Sequence, residues 1–383
     1  MDVERELQLL DRVRLVELVR QVLGDDAADI TVWDHCPIYT GLGAAIASSG
    51  VFRLSGMAKV ASGTIQWSLV LKVLYRPMTP TDTIARPVSG WDREVLTFRS
   101  ELLDDLPPGL AAPRCFGIEE RPDSTWLWLE DVADEVGPRW PLARFALAAR
   151  HLGRFNGRYL DRRPLPDYPW LSRTMLRQRA ERNTPFWTGA EPVRDPTLLE
   201  RFFPDDLPGR ARQVWEARYR LLDVLDRLPQ TLVHANADRR NLFARRDSSG
   251  REETVAIDWA WTGVAAIGEE LVNLVVASTI WHQVGATDLV TLSQQCSDGC
   301  VAGLADAGWR GDPRLVRVAF AVGTALRYGP LGPFASMLRH PEMNQALARA
   351  TGHTPEDSAD VTAAVQRFAF DQLDAVRDEI APL

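Results

Sequence analysis

Lysine is nearly missing from this chain. Of 44 Lys-plus-Arg positions among 383 residues, only Lys59 and Lys72 are lysine. The two exceptions are informative, because an ammonium is a compact point charge and a guanidinium is a broad planar fork. Cysteine is scarce as well. Four in a chain this long build no disulfide framework, and Cys296 and Cys300, four apart, read as half-buried thiols on one helix face rather than as metal ligands. No apolar run approaches the length of a membrane span, and Met1-Asp2-Val3-Glu4-Arg5 does not read as a secretory leader, so no membrane association and a cytoplasmic, reducing location are expected. A net charge of -8 argues against a nucleic-acid partner. Repeats and low-complexity segments are absent too.

What remains is an ordinary globular composition, 45% hydrophobic and 25% charged, long enough for two lobes with a sizeable core. Lys72 sits inside Trp67-Ser68-Leu69-Val70-Leu71-Lys72-Val73-Leu74, an apolar run that reads as a buried strand. A charge there is costly unless it is paired. Lys59, between Gly56 and Gly63, reads as a surface residue.

Upstream, Val3 to Leu23 has helical apolar spacing and stops at Gly24. Ile30 to Trp33 reads as a short strand, followed by a small-residue loop from Tyr39 to Gly50. Backbone amides near Gly41 and Gly43, with the hydroxyls of Ser48 and Ser49, suit an approaching phosphate; a plain hairpin loop has the same composition. Downstream, Trp91 to Leu103 reads as a helix with an inward stripe of Val95, Phe98 and Leu102. Glu94 lies beside that stripe, either as the ion partner of Lys72 or as an exposed first-turn acid favoured by the helix dipole. Residues 112–119 and 124–132 read as a hairpin turning at Pro122-Asp123. Beyond Asp131 the pattern is helical, notably over Arg144–Leu160 and Leu198–Leu228. Trp170, Trp187, Trp281 and Tyr328 are placed either to line a cleft or, more simply, to pack in the core.

Two stretches carry the chemistry. In Leu232-Val233-His234-Ala235-Asn236-Ala237-Asp238-Arg239-Arg240-Asn241 and again in Val255-Ala256-Ile257-Asp258-Trp259, an apolar run leads into a polar turn. Asn241 and Asp258 are two hard oxygen ligands, which suit Mg²⁺ held jointly with nucleotide phosphates. His234 is read as supporting its loop by hydrogen bonding.

This layout resembles the catalytic loop and metal-binding segment of the aminoglycoside phosphotransferase and choline kinase family, small-molecule kinases with a protein-kinase-like fold. Gly268-Glu269-Glu270-Leu271 continues the pattern, with Glu270, where the family usually has Asp, read as a loop or helix cap. Leu127-Trp128-Leu129-Glu130-Asp131-Val132 is similar to the family's hinge. The resemblance runs from about residue 30 to about residue 285 and implies an α+β, bilobal architecture. Residues 1–130 would form a small β-rich N-lobe, and 131–383 a larger helical C-lobe with its catalytic loop at 234–241 and metal segment at 257–263. It further implies that Lys72, paired with Glu94, holds the α- and β-phosphates, that backbone groups of Glu130, Asp131 and Val132 bind the base, and that Mg²⁺ rests on Asn241 and Asp258. The implied donor is ATP or GTP. The implied acceptor is a hydroxyl of a small molecule (antibiotic, amino sugar or choline-like amine) or of a peptide.

One position departs from the family. Its catalytic Asp, two residues after the His, is here Asn236, and loss of a general base costs about 10²- to 10⁴-fold. Asp238 then supplies the carboxylate; or Asn236 only orients the hydroxyl of a slow enzyme; or the chain is a nucleotide-binding pseudokinase that serves as scaffold or partner subunit; or the asparagine was introduced to trap a complex.

Overall fold

A computed structural model describes residues 6–7, 10–38, 49–76, 90–161, 163–182, 200–329, 348–349 and 351–381. Gly41, Gly43, Ser48 and Trp187 lie outside these, and Ser49 is described only in its backbone.

Helix α1 (Arg12–Leu23) is shorter than its apolar spacing predicts, because the Asp11 carboxylate accepts from Val13 N–H and caps it there. Gly24, at φ 64°, ends it in the left-handed conformation that glycine adopts without penalty. Five antiparallel strands follow in space, β1 (Asp29–Pro37), β2 (Ser49–Val60), β3 (Gly63–Tyr75), β6 (Ser124–Glu130) and β5 (Cys115–Glu120), side by side in that order. The β5–β6 hairpin turns at the expected Pro122-Asp123. Helix α2 (Arg93–Arg99) crosses from this sheet toward the helical part; it ends at Arg99, four residues before the predicted Leu103.

Strand alternation decides what the sheet offers on each side. Leu69, Leu71 and Val73 of β3 pack with Leu54, Trp126 and Trp128 against Leu15, Leu18 and Val19 of α1. Each such fully buried aliphatic side chain contributes about 1.5–3 kcal/mol. The residues between them, Val70 and Lys72, therefore face away from α1. Register places Val51 and Leu127 opposite Lys72, and Arg53 and Leu129 opposite Val70, on that same second face.

The second, larger core belongs to the helical part. Helix α3 (Leu142–Asp161) lies close against α7 (Leu289–Asp306), where an added Cβ at Gly303 would come within 2.0 Å of Arg150 O. Cys296 and Cys300 are sealed in this contact, fully rather than half buried, and burial pushes both thiols up. Helices α4 (Met175–Arg182), α5 (Leu207–Arg227), α8 (Arg314–Tyr328) and α9 (Pro355–Ala375) complete the bundle. The helix predicted over Leu198–Leu228 is interrupted: 200–202 are helical, the chain turns at 203–206 around Pro204, and α5 resumes at Leu207, while 198–199 lie outside the described residues. Helix α6 (270–280) holds a π-helical turn at Asn273–Ala277.

Two small ribbons carry the polar turns. Strand β7 (Gln230–Val233) pairs with β10 (Gly263–Ala266), while β4 (Leu110–Ala111), β9 (Glu252–Ala256) and β8 (Leu242–Arg246) form a three-stranded sheet. The chemistry-bearing loops leave β7 and β9 at their C-terminal ends. No described helix is long and apolar enough to cross a membrane.

Candidate functional site

Lys72 is brought to both acids that its isolation in a strand demands. Its Nζ lies 2.5 Å from Glu94 Oε2 and 2.5 Å from Asp258 Oδ1, joining residues 186 positions apart in the chain. Glu94 is 1% exposed, not a first-turn surface acid. Burial alone would pull the Lys72 ammonium down, but Asp258 and Glu94 outweigh it and hold the charge above the ordinary lysine value. Burial raises Glu94, only partly offset by Lys72. At Asp258 burial also pushes upward, yet the ammonium, His234 and the Asn236 amide win and lower it.

Arg93, a neighbour that the sequence reading missed, locks this cluster to the helical part. Its Nε donates to Trp170 O at 2.9 Å and its Nη1 to Ala260 O at 3.1 Å, tying α2 to the turn that follows Asp258. Burial lowers its guanidinium to about 10. The available signal was an arginine at the first position of the helix carrying Glu94.

The loop after β7 is built on left-handed residues and buried acceptors. Ala235 and Asp258 both have φ 61°, uncommon for a residue with a Cβ. Glu270 holds the first turn, with Oε2 accepting from His234 N–H at 2.7 Å and Oε1 from Ala235 N–H at 3.0 Å. Asn273, one helical turn on, donates to Ala235 O. Burial raises Glu270 to about 7. The neutral His234 ring donates from Nε2 to Ile257 O at 2.9 Å and accepts from Asn236 N–H at Nδ1, so it ties the two loops together. Its pKa is lowered to about 4 by burial, and Trp259 covers it edge-on with ring centroids 4.6 Å apart.

Asn236 reaches the centre of the site. Its Nδ2 donates to Asp258 Oδ2 at 2.6 Å, and its carbonyl accepts from Asn241 Nδ2 at 2.9 Å. Asp238 does not join them as a spare carboxylate. It is 2% exposed and caps the short 3₁₀ turn Arg239–Asn241, accepting from Arg240 N–H, Nε and Nη2. Arg240 in turn lies over the Trp281 ring, 3.6 Å from its centroid. Arg239, also unanticipated, runs from the loop to Asp134 at 2.5 Å beyond β6. Trp170 stacks on Tyr168, and Tyr328 is buried with its hydroxyl 3.3 Å from Asn273 Oδ1.

At the end of β6, the Glu130 carboxylate takes Arg114 N–H and Arg245, and Asp131 takes Arg53 through two bonds of 2.8 and 3.1 Å. Val132 follows in irregular backbone.

The donor set fits a Mg²⁺-type cation. Asn241 gives its amide N–H to Asn236 O, which turns its hard oxygen the other way, and Asp258 is the nearby carboxylate. Among the described residues no group of three or more His, Cys, Asp or Glu could hold an ion alone. A cation here would take two protein oxygens and complete its shell with phosphate and water, as Mg²⁺ does.

No protein-family model and no curated protein matches the chain. Solved structures do. A choline kinase from Cryptosporidium parvum superposes with a TM-score of 0.51 at 10% identity, covering 97% of this chain and 98% of that one. An aminoglycoside phosphotransferase from Alicyclobacillus acidocaldarius gives 0.50 at 15% identity over 95% and 96%. The chain therefore has the protein-kinase-like fold of these phosphotransferases, an antiparallel sheet followed by a helical part.

Proposed function

We propose that this chain binds a magnesium–nucleotide complex in the cleft beneath the second face of its sheet and transfers the terminal phosphoryl group to a hydroxyl of a small molecule. The observation that carries the reading is the meeting of Lys72 with Glu94 and Asp258, groups from three separate elements. A lone ammonium held charged between two acids, opening onto a site with two hard oxygen donors, suits a polyphosphate better than any neutral ligand. Lys72 would steady the phosphate oxygens, Glu94 would aim Lys72, and Asn236 would orient the acceptor hydroxyl, whose proton would pass to an oxygen of the transferred phosphoryl group and on to solvent. Asn241 and Asp258 would hold Mg²⁺, which neutralises phosphate charge during transfer. The donor is ATP or GTP, with its base against Glu130, Asp131 and Val132. Fold neighbours that act on choline and aminoglycosides support a small-molecule acceptor over a peptide. The test is transfer of γ-labelled phosphate from ATP or GTP to a panel of amine- and hydroxyl-bearing small molecules. Labelled product that vanishes in Lys72→Met is expected; nucleotide that neither binds nor turns over sinks the reading.

One observation favours a second reading, nucleotide binding without transfer, in a scaffold or partner subunit. Asn236 cannot accept a proton, and Asp238 is engaged by Arg240. Under that reading, wild type binds nucleotide silently, and Asn236→Asp gains turnover.

A further inference from the structure

Asn236 is not simply a missing base; it changes what the site needs in order to stand. We infer that the Asn236 amide does for Asp258 what a divalent cation would otherwise do, so that this chain takes up nucleotide with little dependence on Mg²⁺. The inference rests on the nucleotide-binding reading above and adds to it the ionic condition of binding.

Both oxygens of Asp258 have partners in the protein itself, Lys72 Nζ on Oδ1 at 2.5 Å and Asn236 Nδ2 on Oδ2 at 2.6 Å. The backbone that carries this side chain is fixed. The main-chain N–H of Asn236 is held by His234 Nδ1 at 3.2 Å and its main-chain carbonyl by Asn241 Nδ2 at 2.9 Å. The loop below is pinned in turn by Glu270. The side-chain amide thus springs from a set position and reaches Asp258 as a neutral donor. Across the cluster, one ammonium faces two carboxylates, Glu94 and Asp258, while Asp238 is matched by Arg240.

A carboxylate at position 236 would change both terms. It would place two acidic oxygens at hydrogen-bond separation in a half-buried site, an arrangement that repels unless a cation or a shared proton lies between them, so the comparison below is made at pH 8, where proton sharing is least. It would also add a further negative charge where the phosphates of the nucleotide must enter. With asparagine in place, the contact is attractive and the charge is absent. The ion remains free to bind Asn241 and Asp258 once phosphate is present, but the pocket does not need it to hold its shape or to admit the ligand.

The experiment compares the full-length wild type with Asn236→Asp, using a fluorescent ADP analogue titrated in excess EDTA and again in millimolar Mg²⁺. Wild-type affinity should change by less than about threefold between the two conditions, while the variant should lose about tenfold or more in EDTA, as expected for one unscreened like-charge contact. A second reading needs no nucleotide. Mg²⁺ alone should raise the melting temperature of Asn236→Asp and leave that of the wild type unchanged. If the variant folds only with Mg²⁺, that is the same result in stronger form. If it folds under neither condition, the wild-type EDTA comparison decides by itself. Wild-type binding that collapses in EDTA overturns this inference and leaves the nucleotide reading standing; absence of binding in both buffers overturns the nucleotide reading, and this inference with it.

Discussion

The two sides of the Lys72–Asp258 cluster are built on opposite plans. On the sheet side, opposite charges from distant segments converge: Lys72, Glu94 and Asp258 meet within hydrogen-bond distance although desolvation opposes every one of them. On the loop side charge is withheld, since an amide occupies the centre and the nearby acid is engaged by Arg240. The first plan suits holding a polyanion. Among the described residues of the second, position 236 is an amide and Asp238 is engaged, and that is where this chain parts from the family it resembles.

Removing Lys72 should break the sheet side most severely. Lys72→Met leaves Glu94 buried with its neighbour gone, and truncating one partner of a buried ion pair costs about 3–5 kcal/mol. Urea denaturation should show that loss together with abolished nucleotide binding. If the variant stays as stable as wild type, the cluster is not the centre of the site. Arg93→Met tests whether α2 is held in place from the helical part. It leaves the carbonyls of Trp170 and Ala260 without their donor, at about 1–3 kcal/mol for two half-buried acceptors. Weaker nucleotide binding with Lys72 itself intact would mark Arg93 as a positioning residue; a stability loss without that change would make it packing alone.

The contrast was only half legible in the sequence. Lys72 stood out because lysine is so rare, and a charge inside an apolar strand called for a partner. The strand alternation, the hairpin at Pro122-Asp123 and the loop order followed from period-2 patterning and turn residues. Boundaries were less legible: α1 begins at Arg12 because one carboxylate caps it, which apolar spacing cannot register. The supports of the loop were hidden for a different reason. Glu270 could be read only as a cap, since its acceptors work on backbone N–H groups that carry no sequence signal, and Arg93 acts through carbonyls in the same way. Asp238 looked available because nothing in the order Asp-Arg-Arg says which arginine folds back on it.

Beneath the loop side lies a further, half-buried acid that can sharpen the comparison by pH. Burial raises Glu269 to about 7, above its ordinary carboxylate value, and its Oε1 accepts from Ala266 N–H. A folded-state pKa raised in this way gives stability that is whole at pH 4 and is lost as pH rises through 7. Glu269→Gln keeps the acceptor and cannot ionise. It should match wild type near pH 4 and exceed it by about 2 kcal/mol at pH 8, read from urea midpoints across that range. Equal stability at both pH values would mean that water reaches Glu269 and the helical floor of the loop is not dry.

The smallest effect is expected where the sheet meets the segment after β6. Arg53 and Asp131 form a two-bond ion pair on the Lys72 face, yet the arginine side chain is 47% exposed. Solvent screening limits such a pair to under about 1 kcal/mol, so Arg53→Gln should barely move the urea midpoint. The same sheet face thus carries two cations, on the neighbouring strands β2 and β3, whose removal should differ severalfold, and burial rather than bond count is the reason. A nucleotide-affinity loss in Arg53→Gln as large as that in Lys72→Met would break this distinction and extend the phosphate-binding surface across the sheet.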